Sequence, residues 1–502
     1  MSKILGIDFG TTNSCMAVWE NGEAVIIPNA EGSRVTPSVV AFGNSDEVLV
    51  GESAKRQAVT NPKNTIFSVK RLLGRKFTEI QDNLKLYPFD VAEGKNGDVN
   101  IIMNDKNYSP VEIATFILHK LKSDAELYLG EKVHKAVITV PAYFDDLERQ
   151  AVYNVGKMAD LDIIGIINEP TSAVLAYGLD KDSQNIVAVH DLGGGTFDIS
   201  LLSLNGNDFE VLATRGNTNL GGVDFDNEII TFLTKEFKNK YNIDLNDDPQ
   251  ALQRLTDAAE SAKCELSSTK STEINLPFIS VNDTGPLHLT QKLTRRKLEE
   301  LTEHLIDETN EPFAGCMVDS KLAFQDIDEV LLVGGMTRMP RIIRNIKSKF
   351  HEKVLQSINP DEVVAIGAAI HGASLTGAID DLVLLDVTPM SLGIETAGGI
   401  FTKLIERNSA IPTNINEVFT TESDNQSSVT INVLQGESDL AKKNKSLGHF
   451  KLTGIDPEEK GLPHIEVIFD INANGILNVS AVDLKTGRSK EIKISSGPTL
   501  IE

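Results

Sequence analysis

The chain has 502 residues, and its 48 Lys and Arg against 72 Asp and Glu give a net charge of −24. This length predicts several domains, and the acidic balance argues against nucleic acid or an anionic membrane as a general partner. No apolar run approaches the roughly 18 residues of a membrane helix, no signal-peptide pattern precedes the first strand pattern, and the three cysteines lie far apart. These features predict a cytoplasmic protein that binds neither nucleic acid nor a membrane.

Helix and strand patterns alternate up to about residue 378, which predicts an α/β architecture. Residues 111–129 show apolar side chains on a 3.6-residue period and end at Gly130, which favours a helix. Further helical patterns lie at 146–160, 225–240, 249–267, 295–315, 339–350 and 360–374, with short apolar strands at 136–140, 186–189 and 330–333.

The pattern changes after residue 378. Four apolar residues, Leu382–Leu385, stand between acidic flanks, and apolar residues then alternate with polar ones, as in 429–433 and 465–471. A period of two is typical of strands and predicts an all-β module at 389–502. Asn474-Gly475 is interpreted as a hairpin turn rather than part of a calcium loop, because Ala481 stands where such a loop needs a glutamate.

Two segments, Ile7–Ser14 and His190–Asp198, repeat one pattern of strand, aspartate, glycine-containing turn, threonine and strand. Glycine lets backbone N–H groups approach a phosphate closely, so each turn is a candidate anion site. An aspartate beside a polyphosphate would repel it, so the pair Asp8 and Asp191 predicts an intervening Mg²⁺. Ordinary glycine turns are the alternative, and the matching contexts of the two segments argue against it. The sequence has neither a P-loop nor a dinucleotide-binding glycine motif.

The motifs that follow are collinear with those of a known family. They are Ile7–Cys15, Val140–Phe144, Ile167–Thr171, Asp191–Asp198, Leu220–Asp226, Val333–Pro340, Asn359–Glu362 and Asp386–Pro389. On these residues the chain resembles the DnaK-type, heat-shock seventy chaperones. The resemblance implies a two-lobed, actin-like ATPase domain at 1–378, an interdomain linker at 379–388 and a peptide-binding β-sandwich at 389–502. The helical lid that the family adds after the sandwich is expected to be absent, because Pro498–Glu502 does not match its first helix.

The resemblance also implies roles at the catalytic site. Asp8, Asp191 and Glu169 match carboxylates that surround Mg²⁺, largely through water, and K⁺ is a further candidate ion. Lys70 matches a lysine beside the γ-phosphate, where an ammonium can neutralise charge that develops in the transition state. Asp198 and Asp8 are both candidates to orient the attacking water, and the sequence does not choose between them. Thr196 matches a threonine that some members phosphorylate.

The matching positions for ATP or ADP are spread over most of the first 361 residues. Glu260, Lys263 and Ser267 are spaced to share one helix face; on spacing alone a solvated face is the better interpretation, and only the resemblance makes them an adenosine clamp. The complete set is Gly10, Thr11, Thr12, Gly193, Gly194, Gly195, Gly221, Gly222, Glu260, Lys263, Ser267, Gly334, Gly335, Arg338 and Asp361.

In the β module, the resemblance implies a pocket for extended apolar peptides, lined by Ile394, Ala397, Phe419, Glu422, Val429, Ile431 and Ile465. For each apolar residue of this set, sandwich core is the alternative. The positions that match the linker and its relay to the ATPase are Leu382, Val383, Leu384, Leu385, Asp386, Pro141 and Arg149.

The implied partners are unfolded or extended polypeptides, a nucleotide-exchange factor and a J-domain co-chaperone. Gly165 stands where typical members carry an arginine that faces the J-domain, which predicts weaker or rearranged docking. Three rival hypotheses remain open: a small-molecule kinase of the same fold, an actin-like filament protein, and a chaperone that binds peptides with only weak ATPase activity.

Overall fold

The computed structural model describes residues 3–43, 47–178, 184–355, 359–379 and 382–493. Over these residues the strands form seven sheets, of which the largest have six and seven strands. The strands are β1 (Ile4–Asp8), β2 (Asn13–Glu20), β3 (Glu23–Ile26), β4 (Thr36–Pro37), β5 (Val40–Phe42), β6 (Val48–Val50), β7 (Thr65–Ile66), β8 (Asp90–Glu93), β9 (Val99–Met103), β10 (Lys106–Tyr108), β11 (Lys135–Val140), β12 (Asp162–Asn168), β13 (Asn185–Leu192), β14 (Phe197–Asn205), β15 (Asp208–Asn217), β16 (Ser271–Asn282), β17 (Gly285–Thr294), β18 (Glu329–Val333), β19 (Val354–Leu355), β20 (Val383–Val387), β21 (Leu392–Thr396), β22 (Ile400–Ile405), β23 (Ala410–Ile411), β24 (Thr413–Phe419), β25 (Ser428–Gln435), β26 (Lys445–Thr453), β27 (Ile465–Ile471), β28 (Leu477–Asp483) and β29 (Ser489–Lys493).

The α-helices of the described residues all precede residue 376. They are α1 (Glu52–Gln57), α2 (Phe77–Ile80), α3 (Pro110–Leu129), α4 (Asp146–Met158), α5 (Glu169–Gly178), α6 (Gly222–Tyr241), α7 (Pro249–Ser268), α8 (Arg295–Leu301), α9 (Glu303–Glu308), α10 (Asn310–Ser320), α11 (Pro340–Phe350) and α12 (Val363–Leu375). This distribution agrees with the α/β pattern and the later all-β pattern of the sequence. None of these helices is long and apolar enough to cross a membrane.

The two largest sheets share a hairpin design. The first sheet has the strand order β12-β11-β1-β2-β3, with β4 paired to β2, and the second has the order β19-β18-β13-β14-β15-β20-β23. In the first, Asp8 pairs with Cys15 across β1 and β2; in the second, Asp191 pairs with Asp198 across β13 and β14. The repeated sequence pattern therefore corresponds to two antiparallel hairpins of the same register.

Capping explains why α3 begins where it does. Ser109 precedes α3, and its hydroxyl accepts a 3.2 Å hydrogen bond from the Glu112 amide. In return, the Ser109 amide donates a hydrogen bond to the Glu112 carboxylate. This reciprocal capping box satisfies two backbone donors at the start of the helix. Pro110 occupies the first turn, and Gly130, with a φ of 70°, ends the helix. The period over 111–129 therefore predicted α3 almost to the residue.

One helix prediction is wrong. The pattern over 295–315 predicted a single helix, but the structure has three short helices, α8, α9 and α10. The breaks fall at Thr302 and Thr309, whose hydroxyls donate to the carbonyls of Leu298 and Ile306. Threonine side chains that bond the local backbone compete with a regular helix, and the apolar period does not register that competition.

The C-terminal β-region consists of two four-stranded antiparallel sheets, β22-β21-β25-β26 and β24-β27-β28-β29. Apolar residues of both sheets, among them Ile394, Val433 and Phe469, form one buried cluster. Asn474-Gly475 lies in the turn between β27 and β28, and Gly475 has a φ of 70°. The hairpin interpretation of that dipeptide is therefore confirmed.

The apolar segment Leu382–Leu385 joins the second sheet. Strand β20 pairs in parallel with β15, so that Val383 lies opposite Asp208 and Leu385 opposite Glu210, and it also pairs with β23. Leu382 and Leu384 pack against a buried cluster, whereas Val383 and Leu385 are 47% and 40% exposed. The segment thus buries alternate side chains, as expected for a strand with one covered face. The acidic flank at 380–381, and the residues on which the expectation about the lid rests, 494–502, lie outside the described residues.

Candidate functional site

The two glycine turns lie directly against each other. A Cβ atom built on Gly194 would be 2.1 Å from the Thr12 hydroxyl, and one built on Gly195 would be 2.4 Å from the Thr11 hydroxyl. Contacts this short exclude any side chain, so glycine at these positions is what allows the first and second hairpins to meet. The two candidate anion sites of the sequence therefore form one site.

A cavity of about 430 Å³ opens where the turns meet. We call it the cleft, because the first hairpin forms one side of it and the second hairpin the other. Most of the predicted residues line it: Asp8, Gly10, Thr11, Thr12, Lys70, Glu169, Asp191, Gly193, Gly194, Thr196, Gly222, Glu260, Lys263, Ser267, Gly334, Gly335, Arg338 and Asp361. Three predicted residues, Gly195, Gly221 and Asp198, are absent from the lining.

Lys70 is the cation at the centre of the cleft. It lies on a short 3-10 turn, Val69–Leu72, and its side chain is only 3% exposed. Its ammonium group is 2.6 Å from a carboxylate oxygen of Glu169 and 2.5 Å from the Phe9 carbonyl. Because both contacts are buried, the lysine is held in one position beside the two glycine turns.

Carboxylates outnumber this cation in the cleft. Burial, together with the nearby Glu169, raises the pKa of Asp8 to about 7. The same two causes raise the pKa of Asp198 to about 7 and that of Asp191 well above its ordinary value. Burial is the larger cause of these raised pKa values, and repulsion between the neighbouring negative charges adds to it. The site therefore favours an additional positive charge.

Mg²⁺ fits this donor set. Asp8, Asp191 and Glu169 supply hard oxygen ligands, and one oxygen of Asp198 is buried without a hydrogen-bond partner. Within the described ranges, no three His, Cys, Asp or Glu side chains lie close enough together to hold a metal directly. This spacing is compatible with the predicted binding through water, which Mg²⁺ retains readily.

Asp198 lies behind the cavity wall. It is 1% exposed, and its other oxygen accepts a 3.0 Å hydrogen bond from the Tyr143 amide. Asp8 lines the cavity and accepts a 3.4 Å hydrogen bond from Thr139. Of the two candidates, Asp8 is therefore the one that lines the cleft directly.

The predicted adenosine residues occupy one side of helix α7, as their spacing required. Glu260 forms a 2.9 Å ion pair with Lys55, which belongs to the opposite side of the cleft. Lys263 donates to Asp226 at 2.8 Å and to the Gly222 carbonyl at 2.9 Å. These partners hold both side chains at the cavity wall.

The segment after β18 forms a further part of the cavity wall. Gly334 has a φ of 81°, and a Cβ there would lie 2.4 Å from the Leu192 carbonyl. Arg338 forms a 2.5 Å ion pair with Asp361, and both remain about half exposed. The two predicted residues thus partner each other at the rim.

Sequence reasoning missed several residues of the cleft. Arg71, Lys55 and Asp226 line it, and Asp224 pairs with Arg71. The sequence pointed to three of these residues by their position: Arg71 follows Lys70, and Asp224 and Asp226 stand in the motif at 220–226. Pairing across the cleft is a property of the folded chain, so these signals did not show the partners.

The predicted peptide residues fall into two groups. Ile394, Ile431 and Ile465 are buried in the cluster shared by the two C-terminal sheets, as the alternative of sandwich core predicts. Phe419 and Val429 are partly buried against that cluster, and the predicted rim residues Ala397 and Glu422 are exposed.

The predicted relay residues do converge. Asp386 accepts hydrogen bonds from Asn168 at 2.8 Å and Thr171 at 3.2 Å, and Arg149 donates to Asn168 at 2.6 Å. Pro141 is buried at the end of β11. Gly165 lies on β12, and a Cβ there would be 3.1 Å from Leu375 and 3.4 Å from His371, so a longer residue would displace α12 side chains.

The family model described as Hsp70 protein matches residues 4–502. Members of that family are ATP-hydrolysing chaperones that bind ATP or ADP with Mg²⁺ and bind unfolded polypeptides and co-chaperones. The paired glycine turns and the lysine and carboxylates of the cleft are compatible with this match. Because the match covers nearly the whole sequence, the chain belongs to the Hsp70 family.

Proposed function

We propose that this chain is a DnaK-type chaperone in which Mg-ATP hydrolysis at the cleft controls binding and release of extended apolar peptides by the C-terminal β-region. In this proposal residues 1–378 are a two-lobed, actin-like ATPase domain, residues 379–388 are the linker and residues 389–502 are the peptide-binding sandwich. Members of the family are ATP-dependent chaperones. The distinctive part of the proposal is the coupling between the nucleotide site and the peptide site.

One continuous network carries the proposal. Lys70 in the cleft bonds Glu169, the first residue of α5. Asn168, which precedes Glu169, and Thr171, two residues after it, both donate to Asp386 of β20. A change at the γ-phosphate that moves Glu169 therefore shifts the partners of the linker within three residues. Coupling of this kind is a difference in binding free energy, so peptide must also affect the nucleotide site.

Lys70 carries the electrostatic part of the reaction in this proposal. Its ammonium neutralises charge on the transferred phosphoryl group, and backbone N–H groups of both turns orient the phosphate oxygens. Asp8, Asp191 and Glu169 hold the magnesium, which supplies charge neutralisation when bound. Asp8 and Asp198 remain the two candidates that orient the attacking water.

The C-terminal β-region supports the peptide half of the proposal. Its buried cluster leaves Phe419 and Val429 only partly covered, and these offer apolar contact to an extended segment. Glu422 is exposed at the rim, so we propose that peptides with flanking Lys or Arg bind more tightly. A Glu422→Ala variant that kept the same preference for peptides with flanking Lys or Arg would contradict this role of Glu422.

The experiment is ATP turnover with and without a short apolar peptide, in the wild type and in Leu382→Asp. The wild type should be stimulated by the peptide. The variant should keep basal hydrolysis and lose stimulation, because a carboxylate at the partly buried Leu382 opposes docking of the linker. Undiminished stimulation would refute the linker account. Phosphate transfer to sugars or nucleotide-dependent sedimentation would favour a kinase or a filament protein instead.

A J-domain co-chaperone and a nucleotide-exchange factor complete the proposal. Gly165 removes a side chain from β12 near the Asp386 network, and His371 and Leu375 lie over it. We therefore expect a J-domain to stimulate hydrolysis weakly. Strong stimulation by a J-domain at low concentration would contradict this expectation.

A further inference from the structure

Arg71 joins the two sides of the cleft directly behind Lys70. Its guanidinium makes four hydrogen bonds, and all four go to residues of the second hairpin's side. Nε and Nη2 donate to the Gly195 carbonyl at 3.1 and 2.7 Å, Nη1 donates to Asp224 at 3.0 Å, and Nη2 also donates to Asp224. The arginine side chain is 8% exposed and that of Asp224 19%.

The two partners belong to different packing units. The neighbours of Arg71 on its turn, Val69 and Leu72, are buried in the core of the first sheet. Asp224 is in the first turn of α6, whose Phe225 and Ile229 are buried in the core of the second sheet. The ion pair is therefore a clasp between two cores that move as separate bodies if the cleft opens.

The clasp also contacts two backbone segments of the second side, the glycine turn that contains Gly195 and the segment that contains Gly221. Gly195 precedes Thr196 in the second turn. Asp224 accepts a 2.8 Å hydrogen bond from the Gly221 amide, and the amides of Gly222 and Val223 donate to the carbonyls of Gly193 and Gly194 at 2.9 Å. A displacement of Arg71 is thus transmitted to the backbone that lines the phosphate site.

We propose that Arg71, paired with Asp224, is a positioning residue for ATP hydrolysis: it fixes the distance between Lys70 and the second phosphate turn. The inference rests on the proposed function. A guanidinium suits this task because its planar fork can bind a carboxylate and a carbonyl at the same time, which an ammonium cannot do with the same rigidity. Misplacement of a catalytic group by about 1 Å can lower a rate by about 10²-fold.

The test compares Arg71→Lys and Asp224→Asn with the wild type. The first keeps the charge and loses the fork, and the second keeps the shape and loses the charge. Arg56→Lys is the matched control, since Arg56 is an arginine of the same side that is 73% exposed and paired only weakly, at 3.5 Å, with Glu52. Each protein is assayed for ATP dissociation constant, single-turnover hydrolysis rate and thermal midpoint.

We expect the hydrolysis rate of both variants to fall about tenfold or more, with the ATP dissociation constant within about threefold and the midpoint nearly unchanged. The control should match the wild type. The inference is overturned if both variants hydrolyse ATP within about twofold of the wild type, or if rate, affinity and midpoint fall together, as for a merely structural pair. A wild type that hydrolyses no ATP would refute the proposed function itself, which distinguishes the two failures.

Discussion

The cleft and the interface between the N-terminal residues and the C-terminal β-region treat buried charge in opposite ways. In the cleft, Asp8, Asp191 and Glu169 lie around Lys70, which pairs with Glu169, and behind the cavity wall an oxygen of Asp198 is buried without a hydrogen-bond partner. At the interface, charged groups of the two regions form ion pairs: Lys445 lies 2.6 Å from Asp145, and Arg407 lies 2.9 Å from Asp319.

Apolar side chains also pack across the interface. Leu147 of α4 is buried in the cluster of the C-terminal β-region, and Ile476 of that region packs against the core of the first sheet. Asn474 accepts a 2.9 Å hydrogen bond from the Ile166 amide on the outer strand β12. The interface thus joins charged and apolar groups of the two regions, whereas the cleft carries an excess of carboxylates. Changes in the cleft should therefore act on chemistry, and changes at the interface on coupling.

The largest effect is expected for Lys70→Ala. Loss of the single central ammonium removes a preorganised charge that stabilises the transition state, so the single-turnover rate should fall by about 10²–10³-fold. ATP should still bind, because the turns and the adenosine residues remain. Hydrolysis and ATP affinity are measured together, with the exposed Lys63→Ala as the control. A rate within tenfold of the wild type would show that Lys70 is not the main catalytic charge.

At the interface, Asp319→Ala should weaken docking of the C-terminal β-region onto the N-terminal residues without changing the rate of ATP hydrolysis. Asp319 accepts from Arg215 at 2.8 Å and from Arg407 at 2.9 Å, and its removal leaves both guanidinium groups without that partner. Of these two bonds, the one from Arg407 crosses the interface, and a hydrogen bond to a charged group contributes about 1.5–3 kcal/mol, so docking of the C-terminal β-region should weaken by about 30-fold.

The measurement is amide hydrogen exchange in β20, where the Val383 amide donates to the Asn207 carbonyl at 3.0 Å. Exchange there should accelerate in Asp319→Ala and remain unchanged in Asp307→Ala, which alters an exposed aspartate of α9. Basal hydrolysis should be equal in both variants. Slower hydrolysis in Asp319→Ala without faster exchange would contradict the division between cleft and interface.

The sequence predicted the cleft better than the interface. The repeated hairpin pattern located Asp8 and Asp191, because the glycine and aspartate positions are local in sequence. The pair Arg407 and Asp319 is 88 residues apart and shows no local pattern. The segment Leu382–Leu385 illustrates the limit as well: the sequence shows four consecutive apolar residues, and only the strand geometry shows that Leu382 and Leu384 are the two that pack against the core.

In the cleft, the affinity for Mg-ATP should depend on pH. Without a ligand the pKa of Asp8 and that of Asp198 are about 7, raised by burial and Glu169, so the protonated carboxyls compete with the metal at low pH. Affinity should therefore rise with pH and be about tenfold weaker at pH 6 than at pH 7.

Calorimetry in two buffers of different ionisation enthalpy checks this prediction, since binding should release protons. Asp8→Asn should reduce both the release and the dependence on Mg²⁺. ATP without Mg²⁺ is the control, because it has no metal to displace the protons. Equal proton release with and without the metal would show that the carboxylates are not its ligands.

The smallest effect is expected for the pH dependence of docking. Asp146 exchanges hydrogen bonds with Gln435 across the interface, at 3.0 and 3.2 Å, and burial raises its pKa to about 7 despite the nearby Arg149. The docked state thus holds a proton that the undocked, more exposed carboxyl releases. Docking is therefore strongest below the undocked pKa and weakens as the pH rises through about 7, by a several-fold factor between pH 6 and 8.

Amide exchange of β20, corrected for the intrinsic exchange rate, should show this change in the wild type. In Asp146→Asn, which resembles the protonated form, the change should be absent; if the variant keeps it, another interface group titrates instead.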